Sequence, residues 1–119
     1  MNIEELRDYC ISKPAVSESF PFDESTLVFK VAGKMFLLTD LVGPLSMNNT
    51  PEKVLELREL HPCVLPGYHM SKIHWITVMI DGSLADDLLK QWIDESYNLI
   101  VAGFSRKEKD LYAALLQAK

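Results

Sequence analysis

The apolar positions change period along the chain, and those changes divide it into elements. Ile3, Leu6 and Cys10 recur at helical spacing behind Asn2, with Glu4 and Glu5 in the first turn, where the helix dipole favours carboxylates. Pro14 biases Lys13 away from helical angles, so a first helix is predicted over about residues 3–12. From Val16 to Leu45 the period falls to two. Leu27, Phe29 and Val31 share one strand face, Ala32-Gly33 supplies a tight turn, and Met35 to Thr39 returns as the second strand of a hairpin. Phe20-Pro21-Phe22 reads as a short or edge strand, because proline cannot donate to a ladder. Gly43-Pro44 turns the chain into a further short strand at Leu45 to Met47.

Thr50 caps a second helix with Pro51 in its first turn, and Val54, Leu57 and His61 lie along one side until Pro62 ends it. Lys72 to Ile80 carries the clearest strand pattern, with Ile73, Trp75, Thr77 and Met79 opposite His74, Ile76, Val78 and Ile80. Ser83 is expected to cap a helix reaching about Val101, with Leu88, Leu89, Trp92, Ser96, Leu99 and Ile100 in its stripe and Gly103 at its end. Ser105 and Glu108 have capping-box spacing, and Leu111, Ala114, Leu115 and Ala118 mark a last helix. Strands clustered between terminal helices, without regular βαβ alternation, indicate an α+β two-layer sandwich: an antiparallel sheet packed against N- and C-terminal helices. With no internal repeat and no linker, residues 1–119 read as one domain with a C-terminal helical extension over about 105–119.

Composition narrows the function classes. At 119 residues, 48% hydrophobic and 24% charged, the chain suits one soluble domain and is too short for a two-domain enzyme. Twelve Lys plus Arg against 17 Asp plus Glu give a net charge of -5, which argues against coating by nucleic acid through bulk charge but leaves room for a local basic patch. Cys10 and Cys63 cannot form a disulfide framework and no C-x-x-C spacing occurs. The acidic N-terminus lacks the pattern of a signal peptide, and no apolar run approaches the roughly 20 residues of a membrane span. A cytoplasmic protein with no membrane partner, a monomer or weak dimer, is expected.

The motifs in chain order are more specific than any of them singly. Phe20-Pro21-Phe22-Asp23, Val31-Ala32-Gly33-Lys34-Met35-Phe36, Pro51-Glu52, Pro66-Gly67-Tyr68-His69-Met70, Lys72, His74-Trp75-Ile76 and Ser96-Tyr97 occur in that order. Together they resemble the MmcQ/YjbR family of small bacterial proteins, from the first helix to about Phe104. The resemblance implies a frataxin-like (CyaY-like) sandwich carrying a double-wing DNA-binding motif, with DNA as the partner and no enzyme activity. Two features depart from the family. Asn48 stands where a lysine is frequent, which removes a phosphate contact, and Ser105 to Lys119 runs past the usual end.

The densest unusual chemistry lies between His61 and Trp75. For a nucleic-acid partner, Lys34 at the hairpin tip and Lys72 after the Pro66-Gly67 turn would meet phosphates. Tyr68, His69 or Trp75 would stack on bases, with His74 near the same loop tips. The competing reading packs Trp75 in the core and leaves both lysines solvated. An alternative function is a protein- or small-molecule-binding module, in which Phe20-Pro21-Phe22 and the Tyr68 to Trp75 segment wall an aromatic cleft. His61 and Cys63 with His69 or His74 match no standard zinc spacing, and Cys63 with a histidine lacks a nucleophile signature, so neither a metal nor a catalytic residue is expected. Gly33-Lys34 is a hairpin turn and not a phosphate loop. Glu4, Glu5 and Asp8 are a small acidic cluster that solvation explains as well as iron would, and Arg106, Lys107 and Lys109 read as a solvated helix start. No cofactor is expected.

Overall fold

The computed structural model describes residues 1–41, 43–67 and 70–118. Helix α1 (Ile3–Ile11) begins with a reciprocal capping box: the Glu5 amide donates to Asn2 Oδ1 at 2.8 Å, and the Asn2 amide donates to the Glu5 carboxylate. Strand β1 (Val16–Ser19) follows, then the hairpin of β2 (Thr26–Val31) and β3 (Lys34–Asp40). Ala32 and Gly33 both take positive φ, 48° and 85°, which matches the twist of a two-residue hairpin. Strand β4 (Leu45–Asn48), helix α2 (Pro51–Leu60), strands β5 (Val64–Pro66) and β6 (Trp75–Val78), helix α3 (Asp86–Ala102) and helix α4 (Arg106–Gln117) complete the chain.

The six strands form one sheet in the order β1-β2-β3-β4-β6-β5, every adjacent pair antiparallel. Register separates its two faces. The row Glu18, Phe29, Leu37, Met47, Ile76 and Pro66 alternates with the row Ser19, Val28, Leu38, Ser46, Thr77 and Leu65, and each row crosses all six strands. Phe29, Leu37, Met47 and Ile76 of the first row join Leu6 and Cys10 of α1, Val54 and Leu57 of α2, and Leu89, Trp92 and Ile93 of α3 in one buried cluster. Helices therefore cover one face of the sheet, giving the two-layer α+β sandwich. The second row faces away from them.

A β-bulge adjusts β3 to this core. Phe29 pairs with Leu37 and Lys30 with Met35, so Phe36 is an extra residue on β3, and Phe36 and Leu37 are both fully buried. The Phe36 ring meets Tyr97 of α3 edge-on at 5.5 Å, and its carbonyl accepts the Ser96 hydroxyl at 2.6 Å. Strict alternation from Leu37 would have turned Phe36 away from α3.

Three predicted elements differ. Phe20-Pro21-Phe22 is not a strand. The edge strand is β1, immediately before it, where every residue keeps an amide for the ladder. The strand predicted over Lys72 to Ile80 narrows to Trp75–Val78, because its neighbours β4 and β5 supply only four and three residues of ladder. Ser83 does not cap α3. Its amide and hydroxyl donate to the Asp81 carboxylate at 2.9 and 2.5 Å, and α3 starts after Ala85 with Asp86 and Asp87 on the positive dipole end. Helix α4 has the expected Ser105–Glu108 capping box and no buried residue. It is tied on through Phe104 against Tyr112, at 5.6 Å between ring centres, and through Tyr112 to Tyr97, 3.0 Å between hydroxyl oxygens. Among the described residues no helix is long and apolar enough to cross a membrane.

Candidate functional site

The sheet face left bare by the helices carries a groove of about 880 Å³. That volume is in the range of small-molecule sites. Its floor is the outward row of the sheet: Leu38 of β3, Ser46 of β4 and Thr77 of β6, with Leu65 of β5 beside them. Ser46 and Thr77 face each other across β4 and β6 with their hydroxyl oxygens 3.3 Å apart. Both are buried, so the apolar floor holds a polar spot at its centre.

Two segments outside the ladder build the walls. One runs from Phe22 through Asp23 to Thr26, where β2 begins. Asp23 Oδ1 accepts the amides of Ser25 and Thr26 at 2.9 and 2.7 Å, which fixes the segment as a tight turn. Those donors, with the Thr26 hydroxyl, hold the Asp23 carboxyl below the usual range. The Phe22 side of this wall is open to solvent, the residue being 68% exposed, an unusual place for a phenylalanine.

The other wall leaves β5 through Gly67 and returns through Met70 and Lys72. Gly67 passes so close to β6 that its amide donates to the Trp75 carbonyl at 3.1 Å. A Cβ on Gly67 would lie 2.8 Å from Trp75 Cβ and 3.0 Å from the Trp75 carbonyl oxygen, so only glycine fits without moving the wall. Charge is distributed unevenly. Asp23 and Asp40 stand where β2 begins and β3 ends, whereas Lys72 belongs to the β5–β6 connection at the opposite strand ends.

The predicted nucleic-acid residues fall in different places. Lys72 is exposed and lines the groove. Lys34 begins β3 at the hairpin tip, and its ammonium lies 3.1 Å from the Glu108 carboxylate of α4. His74 is exposed just ahead of β6, and its carbonyl accepts the Asn49 amide at 2.8 Å. Neither Lys34 nor His74 lines the groove. Tyr68 and His69 lie outside the described residues. Trp75 is buried, which removes it as a stacking platform. Other cations are also engaged: Lys53 is 3.9 Å from Glu95, Arg7 is 2.5 Å from Glu18, and Lys13 pairs with Asp94.

The metal and thiol candidates separate likewise. The His61 ring packs edge-on against Trp92 at 5.3 Å, and Cys63 is buried at the start of β5 with its carbonyl accepting the Met79 amide. Among the described residues no three His, Cys, Asp or Glu side chains gather as a metal set. Sequence reasoning missed Leu38, Ser46, Asp40 and Leu65 as groove residues. The available signal was the polar Ser46 and Thr77 within apolar strands, which becomes a site only once β4 and β6 are paired.

Comparisons place this architecture among known proteins. The chain is 33% identical over 118 residues to the uncharacterized protein YjbR of Escherichia coli K12, covering 97% of this chain and all of the relative. It is 33% identical over 109 residues to the uncharacterized protein YbdF of Escherichia coli O157:H7, covering 89% of each. A share of 97% is too large to leave out helix α4, so the segment after Phe104 has a counterpart in YjbR. Among solved structures, the Deinococcus radiodurans protein DR2400, with its DUF419 domain, superposes with a TM-score of 0.85 at 41% identity, covering 92% of this chain and 87% of that one. A Pseudomonas syringae protein superposes at 0.73 with 26% identity, covering 83% and 98%. The YjbR family model matches residues 11–99, from the end of α1 to within α3, so the whole sheet that carries the groove lies inside the match. With both sequence and architecture in agreement, this chain belongs to the YjbR family.

Proposed function

We propose that this protein is a non-enzymatic binding module whose ligand is an organic molecule held in the groove on the open face of the sheet. The observation that carries this reading is the groove itself: about 880 Å³ over a floor of Leu38, Leu65 and Met79, with a buried hydroxyl pair at its centre. Apolar lining with a few placed polar groups is the general composition of ligand sites. Of the two segments that sequence motifs suggested as cleft walls, Phe20-Pro21-Phe22 contributes Phe22 and the Tyr68 to Trp75 segment contributes Met70 and Lys72.

The test is binding of the neutral solvatochromic dye Nile red. The wild-type protein should bind it with a blue shift that is insensitive to salt, and Leu38→Glu and Leu65→Glu should abolish the shift while leaving the far-ultraviolet circular dichroism intact. A dye response that survives both substitutions would remove the groove as the site.

DNA binding, which the resemblance implies and for which Lys34 and Lys72 are the candidate phosphate contacts, has less support. Lys34 is engaged by Glu108, and the basic side chains of Lys34, Lys53, Arg7 and Lys13 are each matched to a carboxylate. Lys72 is the cation at the groove that no described carboxylate pairs. DNA affinity, if present, would fall steeply with salt and weaken in Lys34→Ala and Lys72→Ala. Absence of any duplex shift at low salt ends that reading.

A further inference from the structure

We infer that the groove selects organic cations: an ammonium group on an apolar body, with the ammonium held between Asp23, Asp40 and the ring of Phe22. This rests on the groove being the binding site and adds the class of ligand.

Three observations on separate parts of the groove lead to it. First, two carboxylates line one end of a cavity whose floor is mainly apolar. Asp40 lies opposite Thr26 in the β2–β3 register. The Thr26 hydroxyl stands between the acids, 3.1 Å from Asp23 Oδ2 and 3.4 Å from Asp40 Oδ1. Among the described residues neither acid has a Lys or Arg within ion-pair distance, whereas Glu18, Asp94, Glu95, Glu108 and Asp110 each have one. Both carboxylates are exposed at the groove edge, and a cation entering between them is drawn to both.

Second, the acid next to the aromatic wall is fixed before any ligand arrives. Asp23 accepts from two amides and two hydroxyls of its own turn, so it does not reorganise on binding. Third, Phe22 stands beside Asp23, lines the same cavity and is more than two-thirds exposed. A buried apolar contact does not explain that exposure. A ring beside carboxylates is, however, the arrangement that binds ammonium groups through the ring's negative face. Beyond this end the floor is mainly apolar, with Leu38, Leu65 and Met79 around the Ser46–Thr77 hydroxyl pair, which sets the character of the rest of the ligand. Lys72, from the opposite strand ends, adds a positive charge far along the register from the acids and orients a cation away from itself.

The experiment is calorimetric titration with three compounds that share one body: phenylbutylamine, phenylbutanol and phenylbutyrate. The amine should bind about tenfold more tightly than the alcohol, the order expected for one charge-assisted contact in a partly desolvated site. Asp40→Asn should erase that preference, with an unchanged far-ultraviolet circular dichroism spectrum reporting that the fold is intact. Asp23→Asn, which keeps acceptors for its turn, should reduce the preference independently. Equal binding of amine and alcohol by the wild type overturns the cation inference and leaves the groove standing. Tightest binding by phenylbutyrate overturns it in favour of Lys72. Failure of all three compounds, together with a Nile red response that ignores the groove substitutions, removes both the ligand class and the site.

Discussion

Lys34 at the β2–β3 tip reaches Glu108 in the first turn of α4, with 3.1 Å between ammonium and carboxylate. Glu108 is also the reciprocal partner of the Ser105 cap, accepting the Ser105 amide at 2.8 Å. One side chain therefore closes the helix start and binds the hairpin, which joins two elements that share no buried core residue.

This relationship has a pH signature. The Glu108 carboxyl is held below its ordinary value near 4.5, first by the Ser105 amide and then by Lys34. A lowered folded-state value means the stabilisation is complete above the unfolded-state value and disappears as pH falls through the lower, folded one. Glu108→Gln should therefore lower the urea midpoint at neutral pH, and the gap from wild type should close in acid. A gap that stays constant down to strongly acidic pH would show that the charge on Glu108 contributes nothing.

Ser96 is the polar hinge between α3 and the sheet. Its hydroxyl donates to the Phe36 carbonyl at 2.6 Å and accepts the Asn48 amide at 3.2 Å, with the Asn48 side chain against the same oxygen. Ser96 is fully buried, so Ser96→Ala strands the carbonyl at the bulge and an amide at the end of β4. A loss of about 2 kcal/mol in urea denaturation is expected from two such groups left unpaired. Groove binding should be unchanged, since Ser96 lies on the helical side.

Gly67→Ala should act on the groove through its wall. The added methyl would meet Trp75 at 2.8 Å, and the Trp75 backbone, fixed between β4 and β5, cannot yield. The Met70–Lys72 segment must move instead. A stability loss of about 1–3 kcal/mol is expected from this overpacking, together with weaker Nile red binding. Unchanged dye affinity would mean that this wall does not shape the site.

Cys10 should be inert in the folded protein. Burial raises its thiol to about 12, outweighing the lowering by nearby Lys13. The thiolate is the reactive form, so at pH 8 almost none is present. Cys63 is buried as well. Treatment with a thiol-reactive disulfide reagent should label neither cysteine until denaturant is added, and rapid labelling of the native chain would contradict the burial.

Much of the fold was legible in local chemistry. The Asn2 and Ser105 caps, the Pro51 helix start, the Ala32-Gly33 turn and the Gly103 stop are each decided within a few residues, and each lies where the pattern put it. Strand β5, three residues long, is too short to show a period, and the bulge at Phe36 answers to Tyr97 and Ser96, some 60 residues away. Local propensity does not contain either one.

The candidate site divides in the same manner. The sequence alone determined that the chain would be an α+β sandwich with the YjbR motif order, that Lys72 would stand beside a glycine turn, and that Phe22 would lie in a proline-broken segment. Only the tertiary structure decided that Lys34 is matched by Glu108, and that Leu38, Ser46, Thr77 and Leu65 form one row under the Phe22 and Met70 walls. The physical reason is range. Caps and turns are satisfied by neighbours in the chain, whereas a groove and an ion pair exist only after distant strands and helices have fixed which face each residue presents.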